Sequence, residues 1–413
     1  MARRSKYDGN MGARPAWLMS VPDIAQVDFD LERLNPQGWF AKSKAAFVGA
    51  ATPAILWFAR EFGLLLRISG LQIVTRHADV QWALEHPEDF RVHFNPEVRE
   101  FAGGTSTFML ALDGKPHECQ RARIGRWFTA ARNEKFAKLT TDFADKLLDA
   151  SGGRIDVMKD YFTRVASEVG IVLLGLDVDD PDAFADWTLA MSNANFADYR
   201  GDPVARELGS YGAWRERGVV DRAIAQALAD KRRARNLLAY LIEDDVLGND
   251  ADSIRSVIFG VSVALAPTIT IGAGNILAYL RSDSDALALC IAAARDDNPD
   301  RRRERLRALL LEAGRLRPAL SPGQFRYVPH DVVLPGGLFG ERRIKGGTTV
   351  MVATAAALRD RRAFTHPARF RPDRPDNEAK AWMMFGHGPH TCLGAELAIQ
   401  QLVRLFEALL RRD

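Results

Sequence analysis

Phe385-Gly386-His387-Gly388-Pro389-His390-Thr391-Cys392-Leu393-Gly394 is the stretch that decides the fold. It sets one cysteine among three glycines just ahead of a helical run, Ala395 to Arg411. That placement puts a sulfur beside the unpaired N–H groups of a helix N-terminus, and those donors and the helix dipole stabilise a thiolate. Coordinated iron would deprotonate the thiol outright, and Gly386, Gly388 and Gly394 would let a flat macrocycle approach the backbone. Two other readings exist: a buried cysteine in a turn, and a zinc or iron–sulfur site on His387, His390 and Cys392. A closed structural metal site needs four ligands in recognisable spacing, and no second Cys-x-x-Cys or His pair accompanies these three.

Outward from this loop the chain reads as mainly helical with a small sheet. Upstream lie a Pro- and Arg-rich coil from Pro367 to Pro375, strand-like pieces at Phe325–Val328, Val332–Leu334 and Thr348–Ala353, and a helix from Arg301 to Leu316 stopped by Pro318. A β-hairpin is predicted over Leu64 to Thr75 around Ser69-Gly70, then a helix over His77–Glu85 and a long surface loop from Pro87 to Gly114. From Pro116 to Gly248 the pattern is helical, with breaks at Gly152-Gly153, Asp179-Asp180-Pro181 and Gly201-Asp202-Pro203. Val257 to Leu280 runs 24 residues without a charge. Asp252-Ser253 is the expected cap for this helix, which should end near Arg281-Ser282-Asp283. By length it either crosses a bilayer or forms the buried centre of a large protein. With no repeat or linker, the 413 residues read as one domain, the first 62 being the least informative.

Composition narrows the classes. Hydrophobic residues make up 47% and charged residues 26%, as in a globular chain able to bury a large core. A net charge of +3 is too small to imply nucleic acid. Three widely spaced cysteines, Cys119, Cys290 and Cys392, argue against a disulfide framework and for a reducing compartment. No apolar core follows the basic start Met1-Ala2-Arg3-Arg4, so neither a secretory signal nor a membrane anchor is expected and the cytoplasm is the expected location.

The pattern Phe-Gly-x-Gly-x-His-x-Cys-x-Gly, here Phe385 to Gly394, resembles the cysteine loop of the cytochromes P450, the thiolate-ligated haem proteins. The resemblance runs from about Gly63 to the end. It implies a haem-thiolate monooxygenase with haem b (iron protoporphyrin IX) held between the long central helix and the helix after the loop, Cys392 being the iron ligand. Glu312-Ala313-Gly314-Arg315 resembles the family's Glu-x-x-Arg, completed by Arg369 as a structural triad; the same spacing also occurs at Glu88/Arg91, Glu118/Arg121 and Glu304/Arg307, where it reads as a solvated helix face. His117 and Arg121 resemble the pair that binds the haem propionates, with Arg326 and His390 as further partners, since two carboxylates call for several cationic donors. Phe385, Gly386 and Gly394 complete the expected cofactor contacts.

Two departures bear on function. Where the family carries an acid before threonine in the middle of the long helix, this chain has Ala264-Leu265-Ala266-Pro267-Thr268. Thr268 keeps the hydroxyl, while Pro267 removes both the carboxylate and a backbone N–H and should kink the helix. Either Pro267 only widens the groove, with Thr268 and Thr270 relaying protons, or the chemistry differs. The chain also stops at Arg411-Arg412-Asp413, where family members continue into strands that close the substrate pocket.

The activity implied is insertion of one oxygen atom from O2 into a lipophilic small molecule, with electrons from a ferredoxin-type donor and its reductase. Val261, Ala264, Leu265 and Gln324 are the expected substrate contacts, with further ones from Val92–Met109, Asn193–Tyr199 and Ser321–Phe325. Arg121, Arg123, Arg126 and Arg132 form either a donor-docking stripe or a solvated helix face. No nucleic acid or membrane partner is expected. Two alternatives stay open: a peroxide-driven or non-hydroxylating haem-thiolate enzyme, and a haem-binding sensor or inactive relative.

Overall fold

A computed structural model describes residues 24–36, 38–68, 70–93, 95–103, 106–198, 201–229, 236–337, 340–374 and 382–412. The basic N-terminal start, Tyr199 and Pro375 lie outside the described residues.

The chain opens with helix α1 (Gly38–Phe62), which the sequence reading left blank. Strands β1 (Leu66–Ile68) and β2 (Leu71–Val74) form the expected hairpin, Arg67 facing Gln72. At its turn Gly70 has φ +82°, a left-handed value that glycine takes without strain. Helix α2 (His77–Glu85) has the predicted bounds. The stretch read as one loop holds more order: strand β3 (Arg91–Val92), helix α3 (Asn95–Ala102) and a 3-10 turn at Met109–Ala111. Their brevity hid them, because Val98 and Phe101, buried one turn apart, are too short a run to show a period.

Helices α4 (Gly114–Gly125), α5 (Ala130–Ala150), α6 (Arg164–Leu174), α7 (Pro181–Ser192), α8 (Pro203–Ala229) and α9 (Leu237–Glu243) break where expected. Asp180 caps α7 by accepting from the Asp182 and Ala183 N–H groups at 3.0 and 3.1 Å, with Pro181 in the first turn.

The long helix α10 (Ala251–Ser282) starts two residues earlier than the cap read from sequence: Asp250, not Asp252-Ser253, accepts from the Ser253 N–H at 2.7 Å. It continues through Pro267, which deletes one N–H while the packing of neighbouring residues holds the rest. Its most apolar window is 72% buried in protein, so the buried-core reading of Val257–Leu280 holds. From α8, the buried Glu216 accepts a 2.5 Å hydrogen bond from Ser262 of α10; burial pushes its carboxyl up to about 8, so it is neutral at pH 7.

Helices α11 (Ser284–Ala294) and α12 (Pro299–Leu316) precede strands β4 (Gln324–Val328), β5 (Val332–Gly337), β6 (Gly340–Ile344) and β7 (Thr348–Val352), then α13 (Thr354–Ala357) and the last helix α14 (Ala395–Leu410). The five-stranded sheet runs β1-β2-β7-β4-β3, β2 and β7 parallel and the rest antiparallel; β5 and β6 pair separately. α10 packs against α3, α6, α7, α8, α12 and α14, which makes it the axis of the helical core. The fold is mainly α with a small sheet.

Among the four Glu-x-x-Arg copies, only Glu312 and Arg315 are both fully buried. Arg315 holds Glu312 through Nε and Nη2 at 2.7 and 2.8 Å and reaches the carbonyls of Leu358 and Pro367. The expected third member is corrected: the side chain that meets Glu312 is Arg374, with Nε at 3.3 Å from Oε1, and Arg369 supplies only its backbone carbonyl, to Arg374 at 3.1 Å and Arg315 at 3.4 Å. The Arg371 N–H donates to Glu312 at 2.8 Å as well. This buried cluster ties α12 to the coil that leads into the cysteine loop.

Candidate active site

Between α10 and the start of α14 lies a cavity with about 1700 Å³ free of protein atoms, counted to its mouth. Its walls come from α4, α10, the segment after α12 and the cysteine loop.

The loop is built by its glycines. Gly386 and Gly388 take φ +85° and +66°, and a Cβ on Gly388 would lie 2.5 Å from the Leu84 carbonyl of α2. The Cys392 N–H donates to Phe385 O at 2.8 Å, closing the loop, and His387 meets Glu85 of α2 at 2.7 Å. Cys392 is therefore presented from a fixed backbone and exposed toward the cavity, with the Gly394 N–H bonded to its sulfur. The protein around it pushes the thiol up, and that N–H and Arg121 pull it back.

At one edge the cations gather. His117 and His390 stack with ring centroids 4.1 Å apart, and His390 bonds Asp113 at 2.9 Å. Burial, His390 and Arg121 push His117 down to about 4, so it is neutral at pH 7. Burial lowers Arg121, and no protein carboxylate pairs with it among the described residues. Arg326 is buried behind this edge, lowered to about 10 by burial while Asp113 pulls the other way, and bonded to Gln324 Oε1 at 3.1 Å. Four cationic or N–H-bearing side chains thus share one acid, an arrangement that leaves room for an anionic ligand.

The other wall is α10. Thr268 donates its hydroxyl to the Ala264 carbonyl and lies 3.3 Å from Leu265 O. Val261, Ala264, Leu265, Thr268 and Gln324 line the cavity together with His117, Arg121, Phe385, His390, Cys392 and Gly394. Pro267, Thr270, Gly386 and Arg326 are not brought to its surface. For Thr270 this corrects the expected proton role: its hydroxyl is buried without a hydrogen-bond partner, on a side of the helix the cavity does not reach.

The sequence reading missed three features here. Asp113, which bridges His390 and the Val92 N–H at 3.0 Å, could have been noticed as an acid four residues before His117. Phe196, from the turn after α7, lines the cavity and falls inside a segment proposed only as a range. Gly260 gives α10 a notch: a Cβ there would lie 1.9 Å from the Phe108 ring, and both residues line the cavity. Gly260→Ala is expected to push that ring into the cavity, lowering stability by about 1–3 kcal/mol. It should weaken binding of phenylimidazole more than of imidazole; equal spectral titrations of wild type and variant with both ligands would contradict this.

The Cytochrome P450 family model matches residues 301–412, which hold the Glu312 cluster and the cysteine loop. Similarity to curated proteins extends over most of the chain. Vitamin D(3) 25-hydroxylase from Pseudonocardia autotrophica is 26% identical over 332 residues, covering 79% of this chain and 76% of the relative. Erythromycin C-12 hydroxylase from Saccharopolyspora erythraea is 29% identical over 352 residues, covering 83% and 82%. The solved structure of a mutant of P450 EryK in complex with erythromycin B superposes with a TM-score of 0.73 at 25% identity, covering 88% of this chain and 89% of that one.

By family model, curated relatives and fold, the chain is similar to the cytochromes P450. A cytochrome P450 is an oxidoreductase of the monooxygenase kind that works with a haem-thiolate centre, a small-molecule substrate, O2 and a redox partner. The donor set fits that centre: one thiol facing the cavity, an edge of cations short of counter-charge, and open space beside Gly394 where a Cβ would touch nothing.

Proposed function

We propose that this chain binds iron protoporphyrin IX against Cys392, and hydroxylates a lipophilic small molecule in the cytoplasm with electrons from a ferredoxin-type donor. The single domain is taken to span residues 1–413. The observation that carries the reading is one cavity lined by the Cys392 sulfur, the Thr268 hydroxyl and the unpaired guanidinium of Arg121. When bound, the haem supplies the activation of O2 and the transfer of one oxygen atom to substrate.

The chain's own residues do the rest. Cys392 gives up its proton on ligation, helped by the Gly394 N–H and the charge of Arg121. Arg121, His117 and His390, which line the cavity, are assigned to the propionates, with the buried Arg326 behind them. His117 serves as a neutral donor, so that Arg121 carries charge at the cavity surface. Arg121→Gln is expected to cost about 1.5–3 kcal/mol of haem affinity, the strength of a hydrogen bond to a charged group. Haem transfer to apomyoglobin should be at least about tenfold faster. An unchanged rate would remove Arg121 from this role.

Val261, Ala264, Leu265 and Phe108 make the wall apolar, and Gln324 supplies a polar contact, which suits a lipophilic substrate with few polar groups. Relatives acting on erythromycin and vitamin D(3) accord with that class. Thr268 holds the proton nearest the cavity. Its hydroxyl is parked on the Ala264 carbonyl and must turn away from it to donate inward. Thr268→Val is expected to lower product formed per electron pair by about tenfold or more, the electrons appearing as peroxide. Unchanged coupling would sink the role.

Of the four arginines read as a donor-docking stripe, Arg121 lines the cavity and Arg123 is paired with Asp244 and Asp245. Arg126 and Arg132 remain for an acidic donor, and Arg132 also lies over the Trp127 ring. A peroxide-driven reaction is the second reading, favoured because no Asp or Glu lines the cavity among the described residues. Turnover with NADH, ferredoxin and reductase, compared with turnover on hydrogen peroxide, separates the two: product from peroxide alone would favour the second.

A further inference from the structure

One cation lining the cavity stands apart from the propionate partners. Arg317, the residue that caps the C-terminal end of α12, lines it beside Pro318, Ala319 and Leu320. Its side chain has no hydrogen bond or ion pair among the described residues, and no Asp or Glu among them lines the cavity. The backbone that carries it is held on both sides. The Arg317 N–H donates to Ala313 O at 2.9 Å, Arg359 Nη2 donates to Leu316 O at 2.7 Å, and Asn275 Nδ2 of α10 donates to Pro318 O at 2.9 Å. Pro318 also restricts the backbone of the residue before it. A guanidinium on such a base gives up only side-chain freedom when it binds.

Arg317 and the propionate edge belong to different ends of α10. Phe108 sits in the Gly260 notch, and its neighbour Met109 donates its N–H to Gln120 of α4, the helix of His117 and Arg121. The Arg317 segment meets α10 further on, at Asn275 and at Gly272, where a Cβ would lie 3.5 Å from Ala319. From Gly260 to these two residues is about 18–22 Å along the helix axis. Protoporphyrin IX carries both propionates on one edge, so the cations at the α4 end can serve both and Arg317 is left for the substrate. Its surroundings are positive. Arg359, lowered by burial and then by Arg315, feels Arg317 as a further like charge, and Glu312 of the same helix is taken up by Arg315 and Arg374. The lining nearby is apolar, with Ile276 and Met384. One planar guanidinium matches one carboxylate; a phosphate, with nearly two charges, calls for more donors.

We propose that the substrate is an amphipathic carboxylic acid, its carboxylate held by Arg317 at the α12 end of the cavity and its apolar body lying along α10 toward Thr268. This rests on the haem monooxygenase reading above and narrows its substrate class from lipophilic molecules to lipophilic acids. Arg317 is then a specificity-determining residue: it selects the acid over its neutral counterpart and fixes which end of the molecule points away from Thr268.

The test is spectral titration of the haem-loaded full chain with two matched pairs, octanoic acid against octan-1-ol and dodecanoic acid against dodecan-1-ol, in wild type and Arg317→Gln. Wild type should bind at least one acid about three- to tenfold more tightly than its alcohol, the range an exposed guanidinium supplies when it pairs bidentately. Arg317→Gln should lose that preference and bind the alcohols as wild type does. Its rate of haem transfer to apomyoglobin should be unchanged, because the propionates lie at the other end. No preference for either acid in wild type, an undiminished preference in Arg317→Gln, or faster haem loss from that variant would overturn the proposal. Turnover is scored separately. An acid that binds through Arg317 and yields no oxygenated product leaves the anchor standing and removes the monooxygenase reading, whereas oxidation of neutral compounds without any preference for acids removes the anchor alone.

Discussion

Glu312→Ala is expected to destabilise the folded, haem-competent protein by about 3–5 kcal/mol. The substitution leaves Arg315 and Arg374 buried with no counter-charge, since Glu312 accepts from both guanidiniums and from the Arg371 N–H. Breaking a buried ion pair from one side costs about 3–5 kcal/mol, against a total stability of about 5–15 kcal/mol for a whole domain. The coil from Thr365 to Arg374 has few apolar anchors of its own; it is held by carbonyls that accept from those same arginines. Its loosening would reach the cysteine loop a few residues on. Urea denaturation should show the midpoint shifted down by the equivalent of that energy. Glu312→Gln, which keeps the acceptor but drops the charge, should lie between wild type and alanine. A Glu312→Ala protein with wild-type midpoint and full haem would show that the cluster does not hold the coil.

Cys392→Ala is expected to have the largest effect on function. The backbone of the loop is fixed by the Phe385 carbonyl and by the turns at Gly386 and Gly388, so the variant should fold and the cavity remain. What disappears is the only thiol lining it among the described residues. Haem would then be held by the propionate partners alone, and hydroxylation should fall to background, because Cys392 would no longer supply the thiolate on which the group's oxygen chemistry would depend. Product analysis with ferredoxin and reductase, and haem stoichiometry after gel filtration, check both halves. Turnover at wild-type rate in Cys392→Ala would sink the assignment.

How far the sequence could be read depended on whether the signal was local. The cysteine loop was fully legible, since its glycines, histidines and cysteine sit within ten residues and their chemistry follows from their order. α10 was legible as a long apolar run, and its 72% burial is the tertiary fact that no run of residues can supply. The third arginine was misread because Arg369, Arg371 and Arg374 share one Arg-rich coil, and only packing decides which side chain reaches Glu312. Thr270 was misjudged for a related reason: two residues beyond Thr268, it is carried to another side of the helix. α1 escaped notice because it is apolar nearly all round, so no amphipathic stripe marks it. The Gly260 notch depends on Phe108, 152 positions away, a contact no local pattern contains.

The spectrum of the reduced protein under carbon monoxide tests the central claim most directly. A thiolate ligand moves the main band far to the red of its position with a histidine ligand, and the account predicts that displaced band for the wild-type chain, with Cys392→Ala lacking it. A haem-loaded wild type showing only the histidine-type band would contradict it.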